Sequence, residues 1–110
     1  MSYEIKMTKR FEKNIKRLGK KYVSLKNDFA HLLEELKSNP LTGIDLGNNL
    51  RKVRMAIAAK GKGKSGGARV ITHNAIISVE EGVITLLTIY DKSEYDSISD
   101  KELMKLIAEL

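Results

Sequence analysis

Cysteine is absent from this 110-residue chain. That excludes a disulfide framework and a thiolate metal site, leaves the fold to be held by its core alone, and fits the cytoplasm. Long apolar runs are absent too. The opening MSYEIKMTKRFEK has no apolar h-region, and no stretch approaches the roughly 20 residues of a membrane span, so neither export nor anchoring is expected. Carboxylates with metal-ligand spacing and a Ser-His-Asp order are missing, which argues against metal and serine-nucleophile chemistry. Two histidines are the usual acid-base candidates near neutral pH. His31 falls within an expected helix and reads as solvated or as partly buried with a satisfied hydrogen bond. His73 follows Arg69 by four residues, so strand alternation puts both on one face and makes it a possible accessory base.

What is present is positive charge, unevenly spread. The formal net charge is +6 and the pI near 9.6. Residues 1–40 carry ten Lys/Arg against five acids, residues 41–79 seven against one, and residues 80–110 three against eight. Such polarity suggests an RNA or DNA partner and an acidic protein partner, because focused positive potential speeds encounter with either. The charge peaks in RKVRMAIAAKGKGKSGGAR, Arg51 to Arg69, which has seven cations, no acid, and four of the eight glycines.

The 42% apolar content suits one small domain over residues 1–110. Tyr3, Ile5 and Met7 alternate as a strand, ending where Thr8 caps a helix that carries Phe11, Ile15 and Leu18 and stops near Gly19. A second helix begins near Ser24, aligns Leu25, Phe29, Leu32, Leu33 and Leu36, and ends at Asn39-Pro40. Residues 41–49 read as a loop. In LRKVRMAIA the period becomes two: Val53, Met55 and Ile57 face the core while Lys52 and Arg54 point the other way. ARVITHNAIISV reads as a strand or strand pair, Glu81-Gly82 as a turn, and VITLLTIY as a central strand. Ser99 and Glu102 form a capping-box signature before a final helix with Leu103, Leu106, Ile107 and Leu110. The order β-α-α-β-β-β-α implies an α+β fold, with a helical hairpin on one face of a twisted, mainly antiparallel sheet.

The uncovered face would then carry Lys52 and Arg54 roughly 6–7 Å apart, with Arg69 on the neighbouring strand: a lattice for phosphates. Exposed strands also carry Lys and Arg merely as protection against edge-to-edge aggregation. The loop KGKGKSGG, with Lys60, Lys62 and Lys64, reads as a mobile clamp on a nucleic-acid backbone. Its GKS copies the end of a P-loop, but Ala58 stands where that pattern needs its first glycine, and a strand follows instead of a helix. The segment Ile89 to Ser99 places Tyr90, Lys92, Glu94 and Tyr95 at a strand exit, a common place for functional side chains.

Together, LRKVRMAIAAKGKGKSGGARVI and LLTIYDKSEYDSIS strongly resemble the RelE/HigB family of toxins from bacterial type II toxin-antitoxin modules. The match is closest to the HigB-like branch with its K-G-K-G-K-x-G-G-x-R signature. Asn39, Pro40 and Gly43 fall in order with its NP-x-x-G loop. The resemblance implies a RelE-like microbial-RNase-type fold and a metal-independent, cofactor-free, ribosome-dependent endoribonuclease. Such an enzyme enters the ribosomal A site and cuts mRNA through attack of a ribose 2′-hydroxyl on the adjacent phosphorus. Arg69 and Arg54 would stabilise the phosphorane, with Lys52 as a second cation. Lys92 and Glu94, with Tyr90, match the closing segment of the branch, so Glu94, Lys92 or His73 would share the proton transfers. Ala68 stands where relatives often carry an aromatic, which leaves base stacking to Tyr90 or Tyr95. The resemblance also implies a cognate antitoxin with a helix-turn-helix or other DNA-binding domain, through which operator DNA is reached. Two alternatives stay open: a gyrase poison of the ParE group sharing the fold, and a non-catalytic module that binds nucleic acid or antitoxin.

Overall fold

Alternating residues at the start of the chain form β1 (Ser2–Met7), in a computed structural model that describes residues 2–78, 80–95 and 97–110. The Thr8 side chain accepts a hydrogen bond from Phe11 N and opens α1 (Lys9–Lys21). This helix continues past Gly19 and ends at Tyr22, because lysines in its last turn favour the helix C-terminus. After α2 (Leu25–Ser38), Asn39 is the C-cap and Pro40 prevents continuation.

The stretch 41–49 is more ordered than its glycines and asparagines imply. It contains β2 (Ile44–Gly47), paired antiparallel with β3 (Leu50–Met55). Asn48 and Asn49 both have positive φ, as a two-residue hairpin turn of primed type requires, so the asparagines were a hairpin signal. A 3₁₀ turn (Ala58–Lys60) then leads into β4 (Ala68–Ile76) and β5 (Glu81–Asp91). Glu81 and Gly82 lie inside β5 instead of forming the turn, with Gly82 opposite both Tyr3 and Ile76. Val79, at the end of the expected strand, and Asp96, within the Ile89 to Ser99 segment, lie outside the described residues. The Ser99 side chain accepts from Glu102 N and caps α3 (Asp100–Ala108).

Among the described residues, three α-helices accompany a five-stranded mixed sheet of order β1-β5-β4-β3-β2, an α+β architecture. The β1–β5 pair is parallel and the other pairs are antiparallel. One core layer joins Phe11, Leu18, Leu25, Leu32 and Leu36 of the helical hairpin to Val53, Met55, Val70, Ile84, Leu86 and Ile89 of the sheet. Each such side chain contributes roughly 1.5–3 kcal/mol on burial.

The opposite face is not bare. Leu103 and Leu106 of α3 pack there on Leu50, Ile71, Leu87 and Tyr90. A register shift between Ile71 and Thr72 moves the alternation of β5 by one residue, so Leu86 and Ile89, three positions apart, serve one layer while Leu87 and Tyr90 serve the other. The cations of β3 are therefore confined to the part of the sheet that neither the hairpin nor α3 occupies.

Candidate nucleic-acid interface

Strand β2 meets β3 only as far as the Ile44–Lys52 pair, so among the described residues the outer edge of β3 from Val53 onward has no strand beside it. A cavity of about 440 Å³ opens at this edge, lined by Glu35, Thr42, Lys52, Arg54, Lys64, Arg69 and Lys92 together with Gly43, Ile44 and Val53. Its lower wall is the connection from α2 to β2. Arg51 donates from Nε to Thr42 O (3.1 Å) and from Nη2 to Gly43 O (2.9 Å), clamping that connection against β3. Gly43 permits the approach, since its φ is +93° and a Cβ there would stand 2.5 Å from Lys52 O.

Along the ladder, Arg54 is directly opposite Arg69, which is directly opposite Tyr90. Like charges facing each other on adjacent strands are destabilising. Neither Lys52 nor Arg54 has an ion-pair partner among the described residues. Arg54 is exposed, as expected from its strand position. Arg69 departs from the expected solvent-facing role. It is only 7% exposed, and its guanidinium donates from Nη1 to Lys64 O (3.0 Å) and Ala68 O (3.1 Å), and from Nη2 to Ser65 O (3.0 Å). Burial lowers its pKa from the ordinary arginine value; adjacent Arg54 adds to this and Tyr90 opposes it.

That contact also anchors the glycine-lysine loop, which the sequence reads as a mobile clamp. Arg69 ties down its tip, and Lys92 N donates to Gly67 O (3.0 Å) at its end. Gly67 lies so close to β3 that a Cβ there would sit 2.1 Å from Met55 O. At the base of the loop, the Asp28 carboxylate accepts from Ala58 N and the Ser24 hydroxyl from Ala59 N. Lys60, expected as an RNA contact, turns inward instead. Its Nζ lies 2.6 Å from Oδ1 of fully buried Asp91, which also accepts from Tyr22 and Ser93. A buried carboxylate needs a partner more than the loop needs a third surface cation. Lys62 is exposed, and Lys64 reaches Glu35 Oε2 at 3.1 Å.

Of the remaining expected site residues, Lys92 lines the cavity and Glu94 does not. Glu94 is held by Arg17 of α1 through two 3.2 Å hydrogen bonds, in a separate groove lined also by Tyr90 and Tyr95. Tyr90 is buried, and its hydroxyl has no hydrogen-bond partner among the described residues. Burial raises its pKa against the opposing effect of Arg69. Exposed Tyr95 meets it edge-on at 5.8 Å. His73 shares the β4 face of Arg69, but four residues of strand, about 13 Å, separate them, and it does not line the cavity. His31, read from sequence as uninvolved, lines a small groove beside the cavity together with Asp28, Glu35, Arg54 and Lys64. In the sequence Glu35 is one acid among several on a helix, with no local signal to mark it.

A comparison with known protein families returned no match for this chain. Among the described residues, no three His, Asp or Glu side chains form a metal-binding group, and no helix is long and apolar enough to cross a membrane. Fold and site together define an α+β domain with a cationic cavity at an open sheet edge.

Proposed function

We propose that this chain is a toxin of a bacterial type II toxin-antitoxin module, of RelE/HigB type, that cuts mRNA in the ribosomal A site of the cytoplasm. The observation that carries this reading is the convergence of Lys52, Arg54, Lys64, Arg69 and Lys92 on one cavity whose lining includes a single acid. Maintaining opposed arginines costs folding stability, and a polyanion that bridges them relieves it. In the reaction, the 2′-oxygen attacks the adjacent phosphorus and the bond to the 5′-oxygen breaks, leaving a 2′,3′-cyclic phosphate and a 5′-hydroxyl. The negative charge that accumulates on the phosphorane is what fixed cations stabilise beyond the ground state. A cognate antitoxin with a DNA-binding domain is the partner of this reading, and it carries the contact with operator DNA.

The test is primer extension on a defined mRNA in purified translating ribosomes, with wild type and Arg54→Ala side by side. Arg54 is the suitable probe because it is exposed, whereas Arg69 also organises the loop. Cuts that require the ribosome and are lost in Arg54→Ala support the reading. Intact mRNA with arrested growth overturns it and directs attention to gyrase. A binding-only module is the second reading, favoured by one observation: loop carbonyls already occupy the Arg69 donors that would hold a phosphate.

A further inference from the structure

Cutting RNA without a metal requires a group that accepts the 2′-hydroxyl proton, and nearly every side chain lining the cavity is unable to do so. Ammonium and guanidinium groups have no lone pair to offer, which removes Lys52, Arg54, Lys64, Arg69 and Lys92. Thr42 donates its hydroxyl to Glu35 Oε1 at 3.0 Å. Glu94 belongs to another groove, and His73 lies along β4 away from the opening. One carboxylate remains in the lining.

We propose that Glu35 is the proton acceptor of this cavity, acting on the 2′-hydroxyl of a ribonucleotide held by Lys52, Arg54 and Lys92. The assignment rests on the nuclease reading above. Three features of Glu35 support it.

It occupies the last turn of α2, where the helix dipole disfavours negative charge by a fraction of a kcal/mol. An acid kept against local preference is expected where its charge is used. Its carboxylate is oriented from both sides, Oε1 by Thr42 and Oε2 by Lys64 at 3.1 Å. Each oxygen thus has one donor and keeps a lone pair for another. Its side chain is 32% exposed, so a bound nucleotide can reach it.

The step balances. The 2′-hydroxyl proton passes to Glu35 as the 2′-oxygen bonds to phosphorus. The 5′-oxygen leaves with the P–O bond electrons and takes a proton from the Lys52 ammonium. The Glu35 carboxylic acid then returns its proton through solvent to Lys52, restoring both groups. Charged or titratable groups facing Glu35 are Lys64 from the loop, Lys52 and Arg54 from β3, Arg69 from β4, Lys92 after β5, and His31 and Asp28 on its own helix.

The experiment is single-turnover cleavage of programmed ribosomes across pH by wild type, Glu35→Gln and His31→Ala. Ribosome affinity and thermal midpoint are measured for each. Glu35→Gln keeps the shape and the Thr42 contact. It is expected to slow cleavage by about 100-fold or more, to remove the acid limb of the rate profile, and to leave affinity within a few-fold. His31→Ala is expected to retain the acid limb. Cleavage by Glu35→Gln at the wild-type rate, a loss recovered by saturating ribosomes, or an unchanged acid limb overturns the assignment alone. An acid limb lost in His31→Ala transfers the role to His31. No cleavage by wild type overturns the nuclease reading and this assignment with it.

Discussion

Lys60 and Asp91 form an internal ion pair, Nζ to Oδ1 at 2.6 Å, that joins the base of the glycine-lysine loop to the end of β5. The lysine side chain is 10% exposed and the aspartate is fully buried. Removing the lysine leaves Asp91 with its Tyr22 and Ser93 donors. The loss is therefore smaller than the roughly 3–5 kcal/mol of orphaning a buried charge. Lys60→Ala is expected to lower unfolding free energy by about 1–3 kcal/mol in urea titration, while Lys62→Ala stays within about 0.5 kcal/mol of wild type. Equal effects would place Lys60 on the surface with its neighbours.

The same pair sets an acid limit on stability. Burial pushes the Asp91 carboxyl up, but hydrogen bonds from Lys60, Tyr22 and Ser93 outweigh it and hold the group well below the usual carboxylate range. A folded-state value below the unfolded one gives stability that is complete above about pH 4 and lost as pH falls through the folded value, by up to about 1.4 kcal/mol per unit. The gap between the urea midpoints of wild type and Asp91→Asn is expected to narrow without closing between pH 6 and pH 3, with the change falling below about pH 4. A gap that stays constant over that range would detach Asp91 from acid stability.

Arg69 acts on the loop as well as on charge. Arg69→Lys keeps the charge and loses the fork that spans Lys64 O and Ser65 O. Trypsin is expected to cleave after Lys62 and Lys64 several-fold faster in Arg69→Lys than in wild type, with both proteins folded by circular dichroism. Identical digestion rates would mean that the carbonyl contacts do not hold the loop.

Two glycines of this loop should respond differently to alanine. Gly61 has φ of +67° and nothing near its Cβ position, so Gly61→Ala is expected to cost about 1–2 kcal/mol of backbone strain. Gly67→Ala must move Met55 O, a backbone atom of β3, and is expected to cost more and to reduce nucleic-acid affinity as well. Thermal midpoints and filter binding of the two variants decide this; a milder Gly67→Ala would mean that β3 yields.

Surface cations should appear as salt dependence. Replacing Lys62 and Lys64 with glutamine is expected to reduce the slope of log affinity against log salt for single-stranded RNA by about 0.7–1.4. The lower figure applies if Lys64 spends its charge on Glu35. An unchanged slope removes both lysines from the contact.

Periodicity alone located most of the framework, because Phe11, Leu18, Leu32, Val53 and Leu106 face cores that their spacing anticipates. Lys52, Arg54 and Arg69 were legible as a group because strand alternation fixes faces, and the structure brings them to one cavity. Long-range partners were not legible. Nothing local distinguishes Lys60, bound to Asp91 across 31 positions, from exposed Lys62. Glu35 meets Lys64 only because the loop folds back over α2, and Glu94 meets Arg17 only because α1 lies beside the end of β5. Alternation gave His73 the face of Arg69 without the distance that separates them.

The parallel pairing of β1 with β5 aligns Ser2 with Glu81 and Met7 with Leu86. During synthesis the first strand emerges from the ribosome long before the strand it must pair with, and the cavity also waits for Lys92 to be made. The cationic cavity therefore cannot assemble until most of the chain has been translated, so its appearance reports completion of the fold.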